Sequence, residues 1–365
     1  MEEQNSNLYQ NQIQLTGQFR FCGNAFRADT YRGCDMGCKY CFANNRNGKG
    51  FDRQVNYQLG DHEVVENYFH KMNNGEDYKD INVELMRRRV PIHLGGMADP
   101  FQTREWTHRL TYKFLMLSKE HKYPVNISTK AAYLEPDYYK HLDPTIHAFQ
   151  VSLIGVDKDY IRQYETNTPE PMKRIEFIKD LKARGFWVAV RIQPLIDVTE
   201  AERVLEQLHQ HIDYCTIEHL KISKKNSDVF DEFIEMLPLE YKVNIRATPN
   251  KPEFELNNKI KLDNVEYLRS KFKGVKFGCG DNDLHQFSDS LNCCGVDTMP
   301  PAFKNWLKYN SMYIKMTKDR SQWTPSQSCN GCFNSGSIVR GNTYSDYVED
   351  YYMSLYGDDN QLSLF

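Results

Sequence analysis

From about residue 26 to residue 245, short apolar runs alternate with segments whose apolar residues recur at helical spacing. The runs read PIHLGG (91–96), VNISTK (125–130), AFQVSLI (148–154) and FWVAVRI (186–192), with a further strand near 216–222. Between them the pattern predicts helices over 104–121, near 136–141, over 171–184 and over 199–211. Met172, Ile175, Ile178 and Leu181 share one face of the 171–184 segment, and Gly185 supplies its stop. Apolar strands separated by amphipathic helices build a parallel sheet with helical crossovers. With a first strand ahead of Cys34, the unit count predicts an α/β chain folded as a partial (β/α)6 TIM-type barrel over 26–245. Its active site belongs at the carboxyl ends of the strands. Residues 1–25 read as a polar N-terminal extension. From 246 to 340 the alternation fades and Cys, Gly, Asn and Asp become dense, which predicts a cysteine-rich metal-binding region. Residues 341–365 read as a helix followed by a tail, and the chain has no internal repeat.

Charge and composition narrow the classes. The net charge of −3 gives no general attraction to nucleic acid or to an anionic membrane, so any phosphate contact must be local. Local basic stretches lie at Arg87–Arg89, Lys221–Lys225 and Lys271–Lys276. No apolar run reaches transmembrane length, and Met1–Gln14 has no signal-peptide core, so a cytoplasmic location with no membrane partner is expected. In that compartment ten cysteines point to metal ligation rather than disulfides.

The cysteines are grouped. Cys34, Cys38 and Cys41 have C-x3-C-x2-C spacing, with Gly33 and Gly37 letting the backbone wrap around a bulky group. Three thiolates can hold three irons of a [4Fe–4S] cube and leave the fourth open. A zinc loop would need a fourth ligand, and none lies within this segment. Here the sequence resembles the radical S-adenosylmethionine (radical SAM) superfamily over roughly residues 30–225. The resemblance implies an enzyme whose open iron is chelated by S-adenosylmethionine. One-electron reduction, from a donor such as flavodoxin or ferredoxin, then gives methionine and a 5′-deoxyadenosyl radical. It also implies cofactor contacts: Tyr40 near the adenine, and Gly95, Gly96 and Met97 at the glycine-rich turn that takes the amino group. Met97 replaces the usual acidic residue, leaving backbone carbonyls or Asp99 to serve. Ser128 and Lys130 at the third strand end, Ser152 at the fourth and Arg191 at the fifth complete the set, Arg191 being suited to a carboxylate.

The segments CDMGCKYCFA, HLGGMADPFQ, NISTK and VRIQPLI together resemble the spore photoproduct lyase-like branch. That branch's named member repairs a thymine dimer in DNA and returns hydrogen from a cysteine between the cluster loop and the third strand. This chain has no cysteine from Phe42 to Tyr214, and Phe42 replaces a tyrosine often found there. The specific lyase reaction is therefore not carried over. Cys215 reads as a buried apolar residue.

Two late features remain. Cys279, Cys293, Cys294, Cys329 and Cys332 offer ligands for a second [4Fe–4S] cluster or for zinc, with His285 as a substitute. The last five residues, Gln361, Leu362, Ser363, Leu364 and Phe365, match the peptide by which bacterial replication and repair proteins bind the sliding clamp. Leu364 and Phe365 would fill an apolar pocket and Gln361 would bond at its edge. Clamp and branch together lead to DNA as the substrate, for lesion repair or base modification. The competing readings are a radical SAM enzyme for RNA or peptide, and a non-catalytic iron–sulfur sensor docking on DNA or the clamp.

Overall fold

The structure, a computed structural model, describes residues 8–15, 23–24, 26–45, 57–74, 80–223, 233–247, 253–281, 284–309, 314–315 and 324–325. Its centre is an eight-stranded sheet: β1 (Ile13–Leu15), β2 (Phe26–Ala28), β3 (Ile92–Leu94), β4 (Val125–Thr129), β5 (His147–Ser152), β6 (Trp187–Leu195), β7 (Tyr214–His219) and β8 (Phe277–Cys279). Strand order in space follows chain order, and every pair from β2 to β8 is parallel. Only β1 is antiparallel, to β2. This is the sheet of a partial barrel, and a chain read in order around such a sheet needs a crossover after each strand. Among these crossovers are α1 (His62–Asn73), α2 (Ile81–Arg87), α3 (Leu110–Glu120), α4 (Lys158–Tyr164), α5 (Pro171–Ala183), α6 (Val198–Leu208) and α7 (Asn258–Lys271). Asp61, Asp80, Asp157 and Asp197 cap α1, α2, α4 and α6, each accepting from a backbone N–H of the first turn. No helix among the described residues is long and apolar enough to cross a membrane.

The core lies between sheet and helices. Ile92, Leu94, Val125, Ile127, Phe149, Val151, Val188, Val190 and Ile217 are fully buried on the strands, against Leu115, Ile178, Leu181, Val204 and Leu205 on the helices. Period-two alternation sends the opposite set inward: His93, Asn126, Ser128, Gln150, Arg191, Gln193 and Thr216. The barrel interior is therefore polar, which prepares it for a ligand.

Two elements differ from the sequence pattern. The segment read as one helix over 104–121 is two, Glu105–His108 and α3, divided at Arg109 with φ 53°. The cause is Glu105, whose buried carboxylate accepts from the N–H groups of Thr111 (2.9 Å) and Tyr112 (2.8 Å) and so starts a new helix. The hydroxyls of Tyr31 and Tyr138 hold the same carboxylate, each at 2.5 Å. The barrel sheet also extends past residue 245. β8 pairs with β7 in the register Cys215↔Phe277 and Cys279↔Ile217. Three residues are too few to show a period, so this strand was read as part of the cysteine-rich region.

The segment after β8 re-enters the barrel. Thr216 Oγ1 donates to the carbonyl of Cys293 (2.9 Å), and Gln150 Nε2 to that of Cys294 (2.8 Å). A Cβ on Gly278 would stand 2.1 Å from the Cys293 carbonyl oxygen, so this strand position must be glycine for the loop to seat.

Candidate active site

The loop carrying Cys34, Cys38 and Cys41 follows β2 and lies over the carboxyl ends of β3 to β5. Three bonded regions fix it there. On one side the Asp99 N–H approaches Cys34 Sγ at 3.5 Å, and Gln102 Nε2 donates to the Gly33 carbonyl at 3.1 Å. On the other side the chain between α4 and α5 runs antiparallel to it. Lys39 N donates to Tyr164 O (2.9 Å), Asn167 N to Met36 O (3.1 Å) and Asn167 Nδ2 to Asp35 O (2.9 Å), while Cys38 and Glu165 form a bridge. Thr166 donates to the Gly37 carbonyl through both its N–H and its hydroxyl. Beneath the loop the Tyr40 hydroxyl donates to Glu165, and Lys130 Nζ sits 5.7 Å from the centre of the Tyr40 ring.

Electrostatics locate the sulfurs. Loss of solvent, with Asp99 adding to it, pushes the Cys34 thiol up to about 12. Burial also raises Cys38 well above the usual thiol range; Glu165, Cys41 and Cys34 add to the rise, and Lys130 opposes it. The three thiols thus stand near enough to repel one another as thiolates. Among the described residues, no three His, Cys, Asp or Glu side chains close on a single metal ion. A [4Fe–4S] cube needs a different arrangement, with each thiolate on its own iron. Three mutually repelling thiols on one braced loop, half-buried and beside a lysine, fit that donor set.

The strand-end residues named from sequence cluster below the loop, though several have tasks within the protein. Gly95 has φ +91°, and a Cβ there would meet the Ser128 carbonyl at 2.4 Å, so only glycine permits this turn. Asp29, at the end of β2, holds the same turn by accepting from Met97 N (2.7 Å) and Ala98 N (3.3 Å). The Asp99 carboxylate accepts from Phe101 N, Thr129 Oγ1 and Lys130 N at 2.9, 2.8 and 2.6 Å, joining β3 to β4. Burial raises its pKa against those donors. Arg191 points into the barrel, where it donates to Ser128 Oγ (3.0 Å), Gln150 Oε1 (3.2 Å) and Gln193 Oε1 (3.1 Å). His93 Nε2 meets Ser128 Oγ at 2.7 Å, and burial, with Arg191 and Arg27, keeps this histidine neutral. Ser152 closes β5 opposite Arg191, and its carbonyl accepts from Arg174 at 3.0 Å.

Sequence reasoning missed Glu165, Arg174, Asp29 and Gln150. Glu165 and Arg174 form an ion pair of 2.9 Å with both side chains at 0% exposure. Burial favours the neutral acid, but Arg174 and Lys130 outweigh it and lower the Glu165 pKa. The available signal was an acid in the link before α5 and a base within it, at a spacing that no local rule joins.

The late cysteines separate. Cys279 is a fully buried residue of β8, while Cys293 and Cys294 sit in the re-entrant loop with their sulfurs 3.7 Å apart. Cys215 is fully buried in β7, as read. His285 is buried at 3% exposure. Cys329, Cys332 and Gln361–Phe365 lie outside the described residues. Within the basic stretches, Arg88 pairs with Glu84 (2.9 Å), Lys221 with Glu218 (2.8 Å) and Lys271 with Glu202 and Glu206.

No family model matches the chain. The solved structure of spore photoproduct lyase complexed with dinucleoside spore photoproduct superposes with a TM-score of 0.52, covering 73% of this chain and 78% of that one. The chain shares that fold. A double mutant of the lyase, with bound AdoMet and dinucleoside spore photoproduct, superposes with a TM-score of 0.51 over 68% of this chain and 74% of that one. Sequence identity is 12% in both cases, so the likeness is one of architecture. By sequence, the chain is 26% identical over 197 residues to uncharacterized proteins of Mycobacterium tuberculosis (strain ATCC 25618 / H37Rv) and Mycobacterium bovis (strain ATCC BAA-935 / AF2122/97). The match takes in 50% of this chain, which spans about half the length (53%) of those relatives.

Proposed function

We propose that this protein is a radical SAM enzyme that acts on DNA, by lesion repair or base modification. The observation that carries the reading is the braced Cys34–Cys38–Cys41 loop over the carboxyl ends of a parallel partial barrel with a polar interior. Cys34, Cys38 and Cys41 would hold the [4Fe–4S] cluster. When bound, the cluster supplies the electron that cleaves S-adenosylmethionine to methionine and a 5′-deoxyadenosyl radical. The chain's own residues receive the cofactor. Tyr40 offers a ring face, and the turn Gly95–Gly96–Met97 offers backbone groups to the amino end. Arg191, already aimed inward by Gln193, offers a guanidinium to a carboxylate.

DNA as the substrate class is supported by the branch resemblance and by the terminal clamp-type peptide. A tether to the sliding clamp raises the local concentration of DNA and offsets a net charge of −3. Cys279, Cys293, Cys294, Cys329 and Cys332 remain the donors for a second cluster or zinc.

Two measurements test this. Anaerobically reconstituted, reduced protein is expected to form 5′-deoxyadenosine from S-adenosylmethionine faster with DNA than without it. Ultraviolet-irradiated against undamaged DNA divides repair from modification. An unchanged rate with both would move the substrate to RNA or peptide, and no product from a cluster-loaded protein would favour the sensor reading. In a pull-down on a bacterial sliding clamp, protein carrying residues 361–365 is expected to be retained, and protein lacking them to be lost. Equal retention would remove the tail from the argument.

A further inference from the structure

The chain between α4 and α5 does more than connect two helices. Residues 164–167 lie alongside 35–39 and bond with them in the antiparallel sense, from Tyr164 O–Lys39 N through to Asn167 Nδ2–Asp35 O. At its centre, Glu165 is completely buried and accepts from Tyr40 OH, from Thr168 Oγ1 (2.9 Å) and from Arg174 (2.9 Å). Arg174, on α5, donates in turn to the carbonyl of Ser152 at the end of β5. A continuous path therefore joins the cysteine loop to the barrel wall: Tyr40, Glu165, Arg174, Ser152. A buried carboxylate needs such partners to remain charged, and here each partner comes from a different element.

We infer that Glu165 is a positioning residue for the site: through Tyr40 it sets the cysteine loop, and the ring face beside it, against the carboxyl ends of the strands. The inference deepens the reading of this site as one that binds S-adenosylmethionine, and rests on it. Glu165 is completely buried, and its carboxylate is taken up by Tyr40, Thr168 and Arg174. It acts by fixing the tyrosine hydroxyl at the reach of a glutamate side chain from this backbone position. Aspartate keeps the charge but is one methylene short of Tyr40, Thr168 and Arg174 alike.

The test uses the full chain with Glu165→Asp, Tyr40→Phe and the double variant. Hydrogen exchange is read at the amides of Lys39, Thr166 and Asn167 in apo-protein. Affinity for S-adenosylmethionine is read by anaerobic titration of cluster-loaded protein. Both single variants are expected to exchange about tenfold faster at these amides and to bind S-adenosylmethionine about 10–100-fold more weakly, the range typical of outer partners of metal ligands. The double variant is expected to be no worse than Glu165→Asp alone, because Tyr40→Phe then removes a bond already broken. Additive losses, or exchange unchanged in Glu165→Asp, would overturn the inference. So would faster exchange with unaltered affinity, since the link would then be structural only. Wild-type protein that loads a cluster and binds no S-adenosylmethionine would overturn the site reading while the exchange result still judged the brace.

Discussion

Cys38→Ala is expected to reduce 5′-deoxyadenosine formation by more than about 100-fold, beyond the loss typical of mutating an outer partner of a metal ligand. Cys38 is the middle thiol of the loop. Cys34, Cys41, Glu165 and Lys130 all act on its titration. Its backbone is also pinned, with its carbonyl accepting from Cys41 N (3.2 Å) and its bridge to Glu165. The sulfur is thus delivered to a fixed position, and no other cysteine among the described residues shares that loop beyond Cys34 and Cys41. The measurement is product formation by reconstituted protein, alongside iron content. Product at the wild-type rate from the variant would refute the cluster assignment. A variant that keeps its iron but forms no product would mean that the remaining thiols hold a cluster of altered geometry, and the assignment would stand.

Arg174→Met is expected to destabilise the apo-protein by about 3–5 kcal/mol, the usual cost of breaking a buried pair from one side. The change leaves Glu165 charged, with no counter-ion at 2.9 Å, in a place with no access to water. It also removes the donors to the Ser152 carbonyl and Thr168 Oγ1. The effect is read as a lower urea midpoint, followed by circular dichroism. The double change Glu165→Met with Arg174→Met is expected to recover much of the loss, because the uncompensated charge is gone. An unchanged midpoint in the single variant would show that water or Lys130 takes over from Arg174, and that the pair is not the anchor described above.

Much of this architecture was legible from local pattern. Apolar strands such as 125–130 and 186–192 are buried on the core face, and their spacing by helices required a parallel sheet. The cysteine loop was legible because its three thiols are neighbours in sequence. What escaped was whatever depended on distant residues meeting. Arg109 breaks a helix because Glu105 caps the next one, a choice made with Tyr31 and Tyr138 from other parts of the chain. Phe277–Cys279 reads as a cysteine-rich fragment until β7 lies beside it. No pattern along the chain shows that Ser128, Gln150 and Gln193 converge on Arg191.

The sequence by itself therefore determined the class of fold and the grouping of three thiols on one loop. Each of these rests on periodicity or on spacing within a single segment. Only the tertiary structure decided what braces the thiol loop, which polar side chains face inward together, and that Cys279 belongs to the sheet. These are facts about pairs as far apart as Tyr40 and Glu165. Such pairs leave no period behind, because burial and charge pairing act through space and not along the chain.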